Sequence, residues 1–213
     1  MRLGYLVPEF PGQTHIFFWR EIAALKRLGI EPVLLSSREA DRRLQSHDWS
    51  ADAKARTTYL VPLGAGALLR GLGAALGSGA AGWRQAIMLA REARGHGKIR
   101  LAGLALFGAV LAGHARRLRL DHIHCHSCAS TALVTAFAHC FSGVPYSLTL
   151  HGALHDYGPD QAAKWRRAAF GVAITRRLEV ELRETLGAAC TARIEVAPMG
   201  VDLARFAREA AQP

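Results

Sequence analysis

The sequence predicts an α/β protein built on a doubly wound parallel sheet of the Rossmann-like kind. Three observations carry that prediction. Short apolar runs of strand length alternate with stretches whose apolar residues repeat at helical spacing, along most of the 213 residues. The first of these form a strand, loop, helix and strand within about 35 residues, a βαβ unit that requires parallel pairing. Several strands also run straight into loops bearing glycine or histidine. That suits an open sheet whose ligands sit beyond the carboxyl ends of its strands.

Residues 3–7 make a buried first strand, followed by an irregular Pro8-Glu9-Phe10-Pro11-Gly12-Gln13 loop with Thr14 as helix N-cap. In the helix, Phe18, Ile22 and Leu25 share a stripe, flanked by Phe17, Ala24 and Leu28, and Gly29 ends it. Residues 31–36 return as a second strand, 38–54 are a charged loop with broken helix, and 57–61 a short third strand. A helical region spans about 63–120, interrupted near Gly77–Gly82 and Gly95–Gly97. Its last helix has a stripe of Leu104, Phe107, Leu111, Ala115 and Leu118. Residues 121–125 supply strand four, 127–141 an alanine-rich helix, and 146–150 strand five, entered through Gly143-Val144-Pro145. Helix at 161–169, strand at 171–174, helix at 176–186 and strand at 194–197 complete the alternation.

The net charge of +10 is regional. Residues 53–120 hold eleven Lys/Arg against a single acid, Glu92, which accounts for the whole excess. Such a surface meets an anion or simply decorates solvated helices. No helix-turn-helix, zinc-finger, RNP or KH pattern accompanies it, so nucleic acid is not the expected partner. An anionic membrane face fits better, because the basic residues are interleaved with Leu/Ala/Gly-rich helices. Residues 60–83 are apolar but contain seven glycines, Pro62 and Arg70, and the apolar run 101–113 is short for a span. Both are expected as core or interfacial helices. The four cysteines (Cys125, Cys128, Cys140, Cys190) form no disulfide framework. Only residues 3–7 precede Pro8 after Met1-Arg2, too few for a signal-peptide core, so a reducing cytoplasm is expected.

Neither G-x-G-x-x-G nor a P-loop follows the first strand, and no G-x-S-x-G elbow is present. In His122-Ile-His124-Cys125-His126-Ser-Cys128 the three histidines share one strand face and Cys125 the other. Only Cys128 and loop groups remain to join them, so a tetrahedral zinc set is not spelled out and no metal is expected. His126, at the strand's carboxyl end, is the one placed to line a cleft. His151 leaves strand five directly and precedes Gly152, which lets a ligand approach the backbone. An imidazole there suits a sugar hydroxyl, or else caps its own loop. Asp156 and Lys164 stand as ligand groups or as a local pair.

Five patches resemble the N-terminal domain of retaining family 4 glycosyltransferases of the GT-B fold, in the branch making exopolysaccharides such as colanic acid. They are F-P-G-Q-T-H-I-F-F-W-R-E-I (10–22), D-H-I-H-C-H-S-C-A-S-T-A (121–132), Y-S-L-T-L-H-G (146–152), V-A-I-T (172–175) and I-E-V-A-P-M-G-V-D-L-A-R-F (194–206). They span nearly the whole chain, in the family's order. The resemblance implies transfer of a sugar from a nucleotide-sugar to a glycan or lipid-linked glycan, without a required metal or other cofactor. It implies that His151 approaches the transferring sugar and that Gly12, Gln13 and Thr14 line the interdomain cleft. His126, Gly152, Asp156 and Lys164 complete the expected substrate side. Two departures are visible: Met199 stands where the family usually has Asn, and Asp156 follows His151 later than in the usual H-x-H-D pattern.

On this reading residues 1–203 form the acceptor-holding domain and 204–213 begin an interdomain linker. The nucleotide-binding domain, with its Arg/Lys pair and E-x7-E motif, is expected outside this sequence. The chain alone is then expected to be inactive, and the full enzyme cytoplasmic, at the inner membrane face. The competing expectation is a non-catalytic binding module or the acceptor subunit of a split transferase.

Overall fold

The computed structural model describes residues 1–187 and 193–200. Seven parallel strands form one sheet in the order β3-β2-β1-β4-β5-β6-β7. They are β1 (Arg2–Glu9), β2 (Glu31–Arg38), β3 (Thr58–Tyr59), β4 (His122–Cys125), β5 (Tyr146–Leu150), β6 (Phe170–Ala173) and β7 (Arg193–Val196). The helices are α1 (Ile16–Arg27), α2 (Ser50–Arg56), α3 (Ala65–Leu76), α4 (Gly79–Glu92), α5 (Lys98–Arg117), α6 (Ser130–Ser142), α7 (Gln161–Trp165) and α8 (Arg176–Leu186). One-turn 3₁₀ helices sit at Arg42–Leu44 and Leu154–Tyr157. The doubly wound expectation therefore holds.

Alternation along β1 sorts the core into two clusters, since successive side chains point to opposite faces. Tyr5 and Val7 join Phe10, Leu34 and, from α1, Phe18 and Ile22. Leu6 joins the larger cluster with Leu35, Ile123 and the buried faces of α5 and α6. The two strands flanking the order reversal are held in register, with Tyr5 opposite His124 and Leu6 opposite Cys125.

Glycines bring the helices together at backbone distance. A Cβ at Gly108 would lie 2.3 Å from Phe137 Cβ, and one at Gly71 would lie 2.9 Å from the Val110 backbone. Packing this close excludes any side chain, so α5 sits against both α6 and α3 through its glycine-bearing faces. Of the expected stripe, Leu111 and Ala115 are fully buried, while Leu104, Phe107 and Leu118 pack at the margin of the core.

Three expectations need correction. Thr14 is not the cap of α1: His15 holds that position, without a side-chain cap bond, and Thr14 is exposed in the turn before it. The helix after β5 is one turn and a half, Gln161–Trp165, rather than reaching 169. The short apolar run at 101–113 lies within α5, which at 20 residues is the one helix among the described residues long and apolar enough to cross a membrane. Its second half, Gly108–Ala115, is buried against α6 and α3, as a core helix requires. The anticipated linker at 204–213, and Cys190, lie outside the described residues.

Candidate functional site

Strand order reverses between β1 and β4, and the chain leaves these neighbours in opposite directions. In an open parallel sheet that reversal opens a crevice at the carboxyl ends. A cleft of ≈ 1140 Å³ lies there. It is walled by Phe17, Trp19, Arg20, Glu21 and Arg27 of α1, by His47 and Trp49 before α2, and by the exits of β4 to β7 up to Met199 and Gly200.

Histidines make its floor. His126 donates its backbone N–H to Leu6 O (2.9 Å), which anchors it at the β1/β4 boundary, and it is buried. Its ring lies 4.2 Å from Tyr5 and 4.8 Å from Phe18, centroid to centroid. His126 Nδ1 is 3.4 Å from His151 Nε2, and His151 rests against Phe17 and Phe18 at 5.6 and 5.5 Å. His124 stands edge-on to His126 and is held between Ser147 Oγ (2.6 Å) and Thr149 Oγ1 (2.7 Å). His122 completes the row by sharing Ser147 Oγ at 2.7 Å.

Burial decides the charge of these rings. Desolvation first, and neighbouring imidazoles second, push His124 down to about 3 and His126 well below its ordinary 6.5. The same effects, with His15 as neighbour, lower His151 to about 4. At neutral pH the floor is a set of neutral donors and acceptors rather than a cationic patch. Two of its buried nitrogens, His126 Nε2 and His151 Nδ1, have no hydrogen-bond partner among the described residues.

Glu21 is the residue that sequence reasoning missed. Tyr5 donates its hydroxyl to Glu21 Oε2 at 2.7 Å, and the same oxygen lies 3.8 Å from His126 Nε2. Burial raises its carboxyl above the ordinary range. The available signal was a lone acid in an otherwise apolar and basic helix, with no spacing to tie it to residues a hundred positions away. The aromatic wall was missed for the same reason. Trp19 and Trp49 stack at 5.0 Å, and His47 also stacks on Trp49 at 4.7 Å. Glu21, His124 and His126 each offer one metal-ligand atom, all within 4.8 Å of one another. Hydroxyls already engage both His124 nitrogens, however, which leaves a carboxylate and one imidazole, short of a structural or catalytic zinc set. Cys128 does not join them; its buried Sγ contacts Thr149 O at 3.4 Å.

The other predicted residues separate. His126 and His151 line the cleft. Gly12 is buried under the His15 ring, which would lie 2.9 Å from a Cβ there. Gln13 and Thr14 are exposed and, like Gly12, are not among the residues that wall the cleft, although Gln13 O accepts from His47 Nε2 at 2.6 Å and so ties the first loop to the aromatic wall. Gly152 faces the Tyr157 hydroxyl, which would be 3.5 Å from a Cβ. Asp156 is not brought to the cleft; it is exposed and pairs with His155 at 3.2 Å. Lys164 is not brought there either. It is fully buried, donates from Nζ to Tyr157 O (2.9 Å), and desolvation lowers it to about 8. With Gln161, which donates to Tyr157 O and Gly158 O, it braces the loop that follows His151.

The model of Glycosyltransferase Family 4 matches residues 16–205, and the chain belongs to that family. No curated protein matches the chain. Membership implies, in general terms, a nucleotide-sugar donor and a glycan acceptor.

Proposed function

We propose that this chain is the acceptor-binding half of a retaining GT-B glycosyltransferase of cell-surface polysaccharide synthesis, working in the cytoplasm on a glycan or lipid-linked glycan. The observation that carries the reading is the neutral histidine floor beneath an aromatic wall. Neutral imidazoles exchange hydrogen bonds with uncharged hydroxyls in either direction. The stacked Trp19–Trp49 pair, with Phe17 on the same wall, adds apolar area against which a sugar ring can rest. The cleft, at ≈ 1140 Å³, exceeds the usual range for small-molecule pockets and suits an extended acceptor.

In this reading His151 stands nearest the transferring sugar, and the nucleotide is held by a second domain or subunit facing the cleft. Diphosphate departure needs charge stabilisation, and neither a P-loop nor a Gly-rich dinucleotide turn is present in the sequence. Isothermal titration of the purified chain with UDP and GDP tests this division. No saturable binding is expected. Saturable micromolar binding, or turnover of any nucleotide-sugar by the chain alone, would contradict it.

A further inference from the structure

The helices on the side of the core opposite α1 are packed inside out. In α3 the residues turned to the core are Gly71, Ala74 and Ala75, whereas Leu69, Leu72 and Leu76 face outward at 68, 45 and 75 % exposure. A soluble surface helix buries its large apolar side chains and exposes polar ones. Here the small residues are used to bring backbones together, with Gly71 against Val110 and Gly113 against the Arg70–Gly71 backbone. The leucines are left over. α4 repeats the pattern in part: Gly82 and Ala86 are buried together with Leu89, while Trp83, edge-on to Phe141, and Ile87 and Met88 are each nearly half exposed. Ile99, in the first turn of α5, is 92 % exposed.

Positive charge surrounds these side chains. Arg70, Arg84, Arg91, Arg94, Lys98 and Arg100 lie on α3, α4 and the start of α5 or the turn between them. The single acid of the region, Glu92, is already engaged by Arg167, whose Nη1 donates to Oε2 at 2.7 Å. Exposed apolar side chains on two helices packed side by side call for a partner, and this charge selects its sign. A second copy of the chain would bring the same basic excess to the interface and be repelled.

We infer that the α3–α4 face, with the first turn of α5, docks on an anionic lipid bilayer. Leu69, Leu72, Leu76, Trp83 and Ile87 enter the headgroup boundary, and the flanking arginines and lysine meet lipid phosphates. Amphipathic surfaces that combine large apolar side chains with Lys/Arg bind interfaces in this way, and screening by salt weakens them. The inference does not depend on the transferase reading.

Co-sedimentation with phosphatidylcholine vesicles, with and without about 30 % phosphatidylglycerol, tests it at low and high salt. The native chain is expected to partition at least about tenfold more strongly onto the anionic vesicles, and to be released as salt rises. Leu69→Gln/Leu72→Gln/Leu76→Gln should lower that partitioning about tenfold while leaving the melting temperature within about 2 °C, because these side chains are exposed and none belongs to either core cluster. Arg84→Gln/Lys98→Gln should remove most of the preference for anionic lipid. Equal binding to both vesicle types at low salt, or no binding to either, overturns the inference. So does self-association in analytical ultracentrifugation that the triple variant abolishes, because the face would then be a protein interface.

Discussion

At the scale of single residues, the buried histidines set how the protein responds to acid. Burial pushes His151 and His114 down to about 4 and His124 down to about 3, from an ordinary 6.5. Below pH 6.5 the unfolded chain takes up protons that the native state refuses, so unfolding free energy falls as pH drops from 6.5 towards 4 and is level above 6.5. Urea midpoints at pH 7 and pH 5 should show that loss, and His124→Gln should make the slope shallower. An unchanged midpoint across that range would mean these rings are solvated. Lys164 carries a different prediction, because its Nζ is spent on Tyr157 O inside the core. Lys164→Ala should cost about 1–3 kcal/mol in chemical denaturation, by removing a buried hydrogen bond and its packing. His126 and His151 were legible because each leaves a strand end, where side chains enter the crevice. Lys164 and Asp156 were not separable from them, since one strand-to-helix loop presents some side chains to a cleft and folds others under itself. Glu21 needed the third dimension: only the packing of α1 on the sheet brings its carboxylate to Tyr5 and within 3.8 Å of His126.

At the scale of elements, all seven strands were legible, with ends displaced by up to two residues and only β5 matching at both ends. Turn residues mark where they begin, as with Gly143, whose φ of 77° ends α6 in the left-handed conformation shortly before β5. The helices were harder at their ends. Thr14 has the chemistry of a cap, yet the turn that closes on Gly12 O puts His15 in the cap position. Thr175 does cap α8, accepting from the Leu178 N–H at 3.2 Å. Thr175→Ala should therefore cost about 1 kcal/mol, and an unchanged midpoint would show that α8 does not depend on its cap. The contacts of α5 make a stronger prediction. Gly108→Val places branched carbon where Phe137 Cβ already sits within 2.3 Å of the added Cβ position. It should destabilise by about 3 kcal/mol or more. The inside-out packing of α3 was invisible in the sequence, because periodicity locates a stripe of leucines without saying which side of the helix meets the core.

At the scale of the whole molecule, the sheet order and the family agree. A seven-stranded parallel sheet with its reversal between β1 and β4 offers one crevice, and the described histidines, tryptophans and Glu21 gather at it. The chain's excess positive charge lies mostly on the helices away from that crevice's floor. In the proposed account these two regions do different jobs: the floor of the cleft presents neutral imidazoles to an acceptor, and the basic, leucine-bearing face brings the protein to the surface that carries it. The central claim is that His151 belongs to the reacting end of the cleft. It is tested most directly by measuring turnover and melting temperature together for His151→Ala in the complete transferase, with its nucleotide-binding half present. Turnover is predicted to fall by on the order of 10²-fold or more while the melting temperature drops by no more than about 4 °C. Turnover that stays near native, or falls only in step with the folded fraction, would contradict the account and make His151 a packing residue of its loop.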